Sequence, residues 1–210
     1  MGRLLGASAA LVLLVGCQNQ THAVFSPVPS PSPHTTPTSA ILQPGDIPAG
    51  LNVCPGSGPI DVYLETLATS SPSLAQSLAM AWDQLITERA QEGAVSTYAS
   101  ASAACTAELG VTSSLKAATS IVAIFDDSGQ ADRAWESGVF GFVPPKPGEL
   151  AAGVTRGAAT GLGTSSFTFG RGSVQLASWH RSVFVALVVL SNLPTAAFTA
   201  ATAAVDARLN

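Results

Sequence analysis

The run VFVALVVL, residues 183–190, has no polar residue and is rich in valine. A strand with one wet face alternates apolar and polar side chains, so an unbroken run of this length reads as a central strand covered on both faces. It is far shorter than the roughly 20 apolar residues that a helix needs to cross a bilayer. The chain must therefore build a sheet around this segment.

The neighbouring sequence supplies partners. VTRGAAT (154–160), SFTFG (166–170) and SVQLASW (173–179) precede it as short strands separated by Gly-rich turns, a meander. In SVQLASW, Val174 and Leu176 alternate with Gln175 and Ala177, which predicts a half-buried strand. TSIVAIF (119–125) is a β-branched run and a further strand. After it, Asp127 and Gln130 stand at capping-box spacing, opening a helix whose inner face carries Ala131, Ala134 and Trp135. FVPPKPGELAAG (142–153) reads as a proline-rich surface loop.

Helical spacing marks other segments. IDVYLETLA (60–68) predicts a helical turn or two. Ser71 and Pro72 stand at N-cap and first-turn positions before Leu74, Leu78, Trp82, Leu85 and Ile86. The same period continues through Val95, Tyr98, Ser102, Cys105 and Leu109. It predicts more helix over 93–110, either one helix kinked at Gly93 or two. The tail LPTAAFTAATAAVDARLN closes as a helix with Phe198, Ala201, Val205 and Leu209 on one stripe and Arg208 in its last turn, where a cation suits the helix dipole. The fold class is thus α+β, helices packed on an antiparallel sheet, in a single domain spanning 43–210.

The N-terminus is a different kind of sequence. A single Arg3 precedes an uncharged run from Leu4 to Val15, the form of a secretory signal rather than a membrane span. Leu14-Val15-Gly16-Cys17 resembles a bacterial lipobox. That resemblance implies a lipoprotein: a signal peptide over 1–16, and a Cys17 that becomes the lipidated N-terminus. It implies anchoring to the outer, extracytoplasmic face of the cell membrane. Two or three acyl chains, at about 0.8 kcal/mol per buried CH₂, hold a protein there firmly. The alternative is an ordinary secretory signal with an incidental cysteine. Residues 17–42, with their Pro, Ser and Thr, read as a tether that extends at about 3.1 Å per residue.

Cys54 and Cys105 remain. In an exported protein an isolated pair of this kind defaults to a disulfide, with two buried free thiols as the alternative. The formal net charge is −4, and Lys116 and Lys146 are the only lysines. Without a basic patch there is no nucleic-acid surface.

A wider resemblance covers most of 43–210. The segments LQPGDIPAGLNVC, IVAIFDDSGQADRAW and FTFGRGSVQLASW, in this order and before a C-terminal helix, resemble extracytoplasmic domains of actinobacterial lipoproteins and of mycobacterial serine/threonine receptor kinases. It implies a sensor-like or ligand-binding role.

Catalytic and metal signatures are sparse. There is no GxSxG elbow. His180 is the only histidine of the domain and is expected in a turn between two strands. Zinc needs three or four Cys, His or carboxylate ligands, which this sequence does not offer in any conventional spacing. DDSGQAD (126–132) departs from the calcium-loop pattern, with glycine at its fourth place and no closing glutamate, so helix capping accounts for it. GLGTSS and GRGS lack the phosphate-loop context and read as turns. No cofactor is expected. Trp179, His180 and Arg181 form a candidate recognition tip, because aromatics and arginine dominate binding hot spots. Three readings follow. The first is a lipid-anchored, non-enzymatic domain that binds a ligand or a cell-envelope partner. The second is a carrier of a lipid or other apolar molecule, with small residues leaving a cavity. The third is a cell-envelope enzyme using His180.

Overall fold

The structure, a computed structural model, describes residues 35–209. The signal peptide, Cys17 and the tether up to residue 34 lie outside the described residues. Six helices are α1 (Pro37–Ala40), α2 (Ile60–Ser70), α3 (Pro72–Thr87), α4 (Ser102–Cys105), α5 (Ser128–Ser137) and α6 (Thr195–Arg208). Eight strands are β1 (Asn52–Val53), β2 (Gly58–Pro59), β3 (Ala90–Ala99), β4 (Ala117–Phe125), β5 (Val154–Arg156), β6 (Ser166–Arg171), β7 (Val174–Arg181) and β8 (Phe184–Ser191). They form one antiparallel sheet in the order β1–β3–β4–β8–β7–β6–β5, with β2 also paired to β3. The α+β class and the single sheet-centred domain are as the sequence predicts.

β8 lies between β4 and β7 and is buried along its whole length. Its alternate residues feed two separate cores. Val185, Leu187 and Val189 join Tyr63, Leu78, Leu85 and Trp135 under α2, α3 and α5. Phe184, Ala186, Val188 and Leu190 join Leu42, Trp179, Ala201 and Val205 under α1 and α6. On the second face, Ala94, Ala118, Ala177, Ala186 and Ala201 are fully buried. Small side chains there let α6 approach the sheet closely at interior packing density. β7, expected to be half-buried, is covered on both faces, with Leu176 in the first core and Ala177 and Trp179 in the second.

One predicted helix is a strand. Residues 90–99 form β3, paired with β4 on one side and with β1 and β2 on the other. An inner strand buried on both faces loses its polar alternation, and Ala and Ser in this stretch carry no β-branched signature. The 3.6-residue spacing was coincidental. Helix in this region is confined to α4, which Cys105 ends, and a single 3₁₀ turn at Glu108–Gly110. The predicted disulfide is present: Cys54–Cys105, with Cα atoms 5.5 Å apart, fastens the lead-in segment to α4.

The domain also begins earlier than residue 43. Ala40, Ile41 and Leu42, expected as the end of the tether, are buried in the second core. Leu42 is held from both ends. Its N–H donates to Ser120 Oγ at 2.8 Å, and its carbonyl accepts from Ser96 Oγ at 3.1 Å and Tyr98 Oη at 3.2 Å. Among the described residues no helix is long and apolar enough to cross a membrane.

Candidate functional site

Helix α5 opens as the sequence predicts, with the Asp127 carboxylate accepting from the Gln130 N–H at 2.8 Å. Ala131, Ala134 and Trp135 turn into the sheet. This rotation places Ser128 and Asp132, one helical turn apart, on the flank of α5 that faces the end of β7. The strand alternation of β7 sends His180 toward α5 and its neighbours Trp179 and Arg181 toward α6.

The His180 side chain is 13% exposed. Its Nε2 stands 2.6 Å from the Ser182 carbonyl oxygen and 3.4 Å from Ser128 Oγ, while Nδ1 faces Asp132 Oδ1 at 3.4 Å. The same Asp132 oxygen accepts from Ser165 Oγ at 3.0 Å. Ser165 is tied to the strand by the His180 N–H, which donates to its carbonyl at 2.9 Å. Across the sheet end, Arg181 Nε and Nη2 grip the Asp206 carboxylate of α6, and Nη2 also reaches the Leu162 carbonyl. Ser128, Asp132, Ser165, His180, Arg181 and Ser182, together with Gly129, Gly163 and Thr164, line an open cleft of about 510 Å³.

Serine, histidine and aspartate here invite comparison with a hydrolase triad, in which the imidazole accepts the serine proton and the carboxylate holds the opposite ring nitrogen. The proton assignment is reversed. A carbonyl oxygen only accepts, so the 2.6 Å contact makes Nε2 the donor to Ser182. The nitrogen nearest Ser128 thus already carries its hydrogen and has no lone pair to take another. His180 acts as a clamp on the β7–β8 turn, where Ser182 adopts a left-handed φ of 55° without being glycine.

The predicted recognition tip divides. Trp179 is 0% exposed and belongs to the core beside Leu42 and Leu162, so it is no part of an exposed tip. His180 and Arg181 do line the cleft. His180 lies within β7, which ends at Arg181, and the turn is Ser182–Val183. Ser128 and Asp132, in the segment expected only to cap a helix, and Thr164 and Ser165, in one expected only to turn, were not foreseen as cleft residues, although Ser128 and Asp132 stand at i, i+4 in a helix that was. Asp127 is the expected cap, and among the described residues no group of three or more Cys, His or carboxylate side chains could hold a metal ion.

A second concavity is apolar. Phe142, Val143 and Pro145 of the loop after α5 meet Phe167, Phe169 and Leu176 of the sheet around a shallow groove of about 280 Å³. Comparison of the chain with protein-family models, with curated proteins and with solved structures found no match.

Proposed function

We propose that this chain is a lipid-anchored, extracytoplasmic binding domain whose recognition site is the polar cleft at the end of β7. Cys17 supplies the anchor, the proline-rich segment supplies reach, and the cleft supplies specificity. The observation that carries the reading is the pairing of His180 with Ser182 and Asp132 inside a cleft walled by hydroxyl groups. Donor and acceptor groups are fixed there, while the ring nitrogen nearest Ser128 is committed as a donor. Such a site suits recognition of a polar ligand, or of a polar loop of a cell-envelope partner, more than nucleophilic attack. The sequence supports the anchor through Leu14-Val15-Gly16-Cys17.

The apolar groove supports a second reading, carriage of an apolar molecule. The Ala-rich faces do not add to it, since they serve close packing under α6.

Native mass spectrometry of the protein purified from its own envelope, without added ligand, tests the two together. A bound polar species lost in Asp132→Ala but kept in Phe169→Ala supports the cleft. A bound lipid with the opposite dependence supports carriage. A clean apo mass, with no envelope protein crosslinking at a photoreactive residue placed at Thr164, overturns the cleft reading. The anchor is tested by Cys17→Ser: unchanged processing and membrane retention would sink it.

A further inference from the structure

The outer edge of β3 is only partly covered. β1 pairs with it at Tyr98 and Ala99 and β2 at Ala94 and Val95, and the chain then leaves into α2 at Ile60. Thr97 turns its backbone to this side: its carbonyl accepts from the Cys54 N–H at 2.7 Å, and its N–H donates to Ser57 Oγ at 3.1 Å. Backbone groups alternate along a strand, and the β3–β4 register is unbroken from Glu92 to Ala99, so Gly93 also presents its N–H and carbonyl outward. Among the described residues no strand pairs with it there. Beside this open edge lies a groove of about 390 Å³. Trp82 and Ile86 of α3 form one wall, with Ile86 44% exposed. The other wall is Pro37 of α1, a helix whose Ala40 belongs to the core on the opposite face of the sheet.

The two sides of this slot differ in chemistry. A Cβ on Gly93 would come within 2.7 Å of the Trp82 ring, so position 93 faces α3. Strand alternation then turns Glu92 to the opposite face, the one on which Ala94 is buried. One side is thus apolar and the other carries a carboxylate. Glu92 is exposed, and so is Asp61, which lines the groove from the first turn of α2. Among the described residues neither makes an ion pair, and no lysine or arginine lines the groove. The Gln91 side chain donates to the Asp126 carboxylate at 3.2 Å, which brings a third acid to this edge. These acids decide between occupants. A second copy pairing through the same edge would bring acid against acid, and like charges across a strand pair are destabilising. An extended segment that alternates apolar and basic side chains meets both sides of the slot at once and bonds to the Gly93 backbone.

We propose that this slot receives a short extended segment of a partner protein, which adds to the outer edge of β3 at Gly93. Its apolar side chains lie against Trp82 and Ile86, and its basic side chains face Glu92 and Asp61. The register shift between Ala90 and Glu92 limits the usable edge to a few residues, so the contact is weak by itself and its specificity rests on the alternation of the partner's side chains. This surface is separate from the polar cleft at the end of β7 and stands or falls without it.

The probe is a capped, dye-labelled hexapeptide of alternating valine and lysine, titrated with the full chain and followed by fluorescence anisotropy. Saturable binding is expected, and high salt should weaken it. Glu92→Lys should lower the affinity at least about fivefold. Ile86→Ser should lower it too; both positions are exposed, so the far-ultraviolet spectrum should not change. N-methylation of one alternate set of peptide amides should abolish binding and of the other set leave it intact, because only one set faces the edge. Asp132→Ala should bind the peptide as the native chain does. The proposal is overturned by the absence of saturable binding at millimolar protein, by equal binding of the two N-methylated peptides, or by an unchanged affinity in Glu92→Lys. Loss of binding in Asp132→Ala would move the peptide to the cleft and overturn the assignment to β3. Self-association of the chain that the peptide competes away would assign the edge to a second copy and overturn it as well.

Discussion

Arg208, in the last turn of α6, holds Asp46 in a two-pronged grip, Nη2 to Oδ1 at 2.7 Å and Nη1 to Oδ2 at 2.8 Å. The same Nη1 reaches the Ile41 carbonyl, and Asp46 Oδ2 also accepts from the Gln43 N–H. The final helix is thereby clamped to the lead-in segment that threads under it. Burial works against the charged carboxylate, but the Arg208 hydrogen bonds, the Gln43 N–H and the guanidinium charge outweigh it and hold Asp46 below the usual carboxylate range.

That depressed value fixes a sign. An acid whose pKa is lower folded than unfolded stabilises the fold fully above its unfolded value, and the gain is lost as pH falls through the folded value. Stability should therefore drop below about pH 4, and Asp46→Asn should flatten this part of the acid dependence. At neutral pH, Arg208→Ala should cost about 1 kcal/mol, since the pair is charge-assisted but partly solvated. Urea unfolding at pH 7 and pH 3, on the native chain and both variants, checks sign and size.

The Cys54–Cys105 bridge spans 51 residues and closes a loop containing α2, α3 and β3. The chain-entropy relation gives about 4 kcal/mol for a loop of this length. Replacing both cysteines with Ser, or unfolding under a reductant, should lower the urea midpoint by a corresponding amount without changing the far-ultraviolet spectrum of the folded state. A midpoint unchanged by the reductant would mean that the bridge contributes nothing.

At Gly93 the constraint is steric. Its φ does not require glycine, yet a Cβ would meet Cη2 and Cζ3 of Trp82 at 2.7 and 2.8 Å. Gly93→Ala should cost about 1–3 kcal/mol by overpacking, and Trp82→Leu should recover much of that loss in the double variant. A thermal melt of the three variants measures the coupling. Additive losses would mean that the ring does not set the constraint.

How legible this was depended on chemistry that leaves a pattern. β8 announced itself because burial on both faces leaves only apolar residues, and α5 because Asp127 and Gln130 mark its start. From Gly93 onward β3 is buried as well, but its inward positions include Ser96 and Thr97, whose hydroxyls pair across the strands with Ser120 at 2.9 Å and Thr119 at 3.2 Å. Buried hydroxyls satisfied by their neighbours look like a polar surface in one dimension. The cleft was half legible. His180 and Arg181 stood out by residue type, whereas Asp132 and Ser165 acquire meaning only when α5 and the segment before β6 converge on the end of β7. Trp179 was assigned outward because no local signal distinguishes a strand end that is capped by a helix from one that is open.

The domain boundary gives the last prediction. The Ser96 hydroxyl donates to the Leu42 carbonyl, so the Ser120 hydroxyl, which accepts from the Leu42 N–H, is left to donate to Ser96. The three groups close a ring within the core. Burial first, and then the charge of Asp46, push the Tyr98 hydroxyl above its usual range, so it stays a donor to the same carbonyl through neutral pH. Ser120→Ala leaves a buried N–H without its acceptor and should cost about 1–3 kcal/mol. A chain that starts at residue 43 loses the burial of Ile41 and Leu42 together, about 1.5–3 kcal/mol each. It also removes the Leu42 partner of both serines, leaving them only each other. Compared with a chain starting at residue 35, it should melt well below it, and Ser120→Ala should have a much smaller effect in the shortened chain than in the longer one. Equal melting points would place the edge of the domain at residue 43 after all.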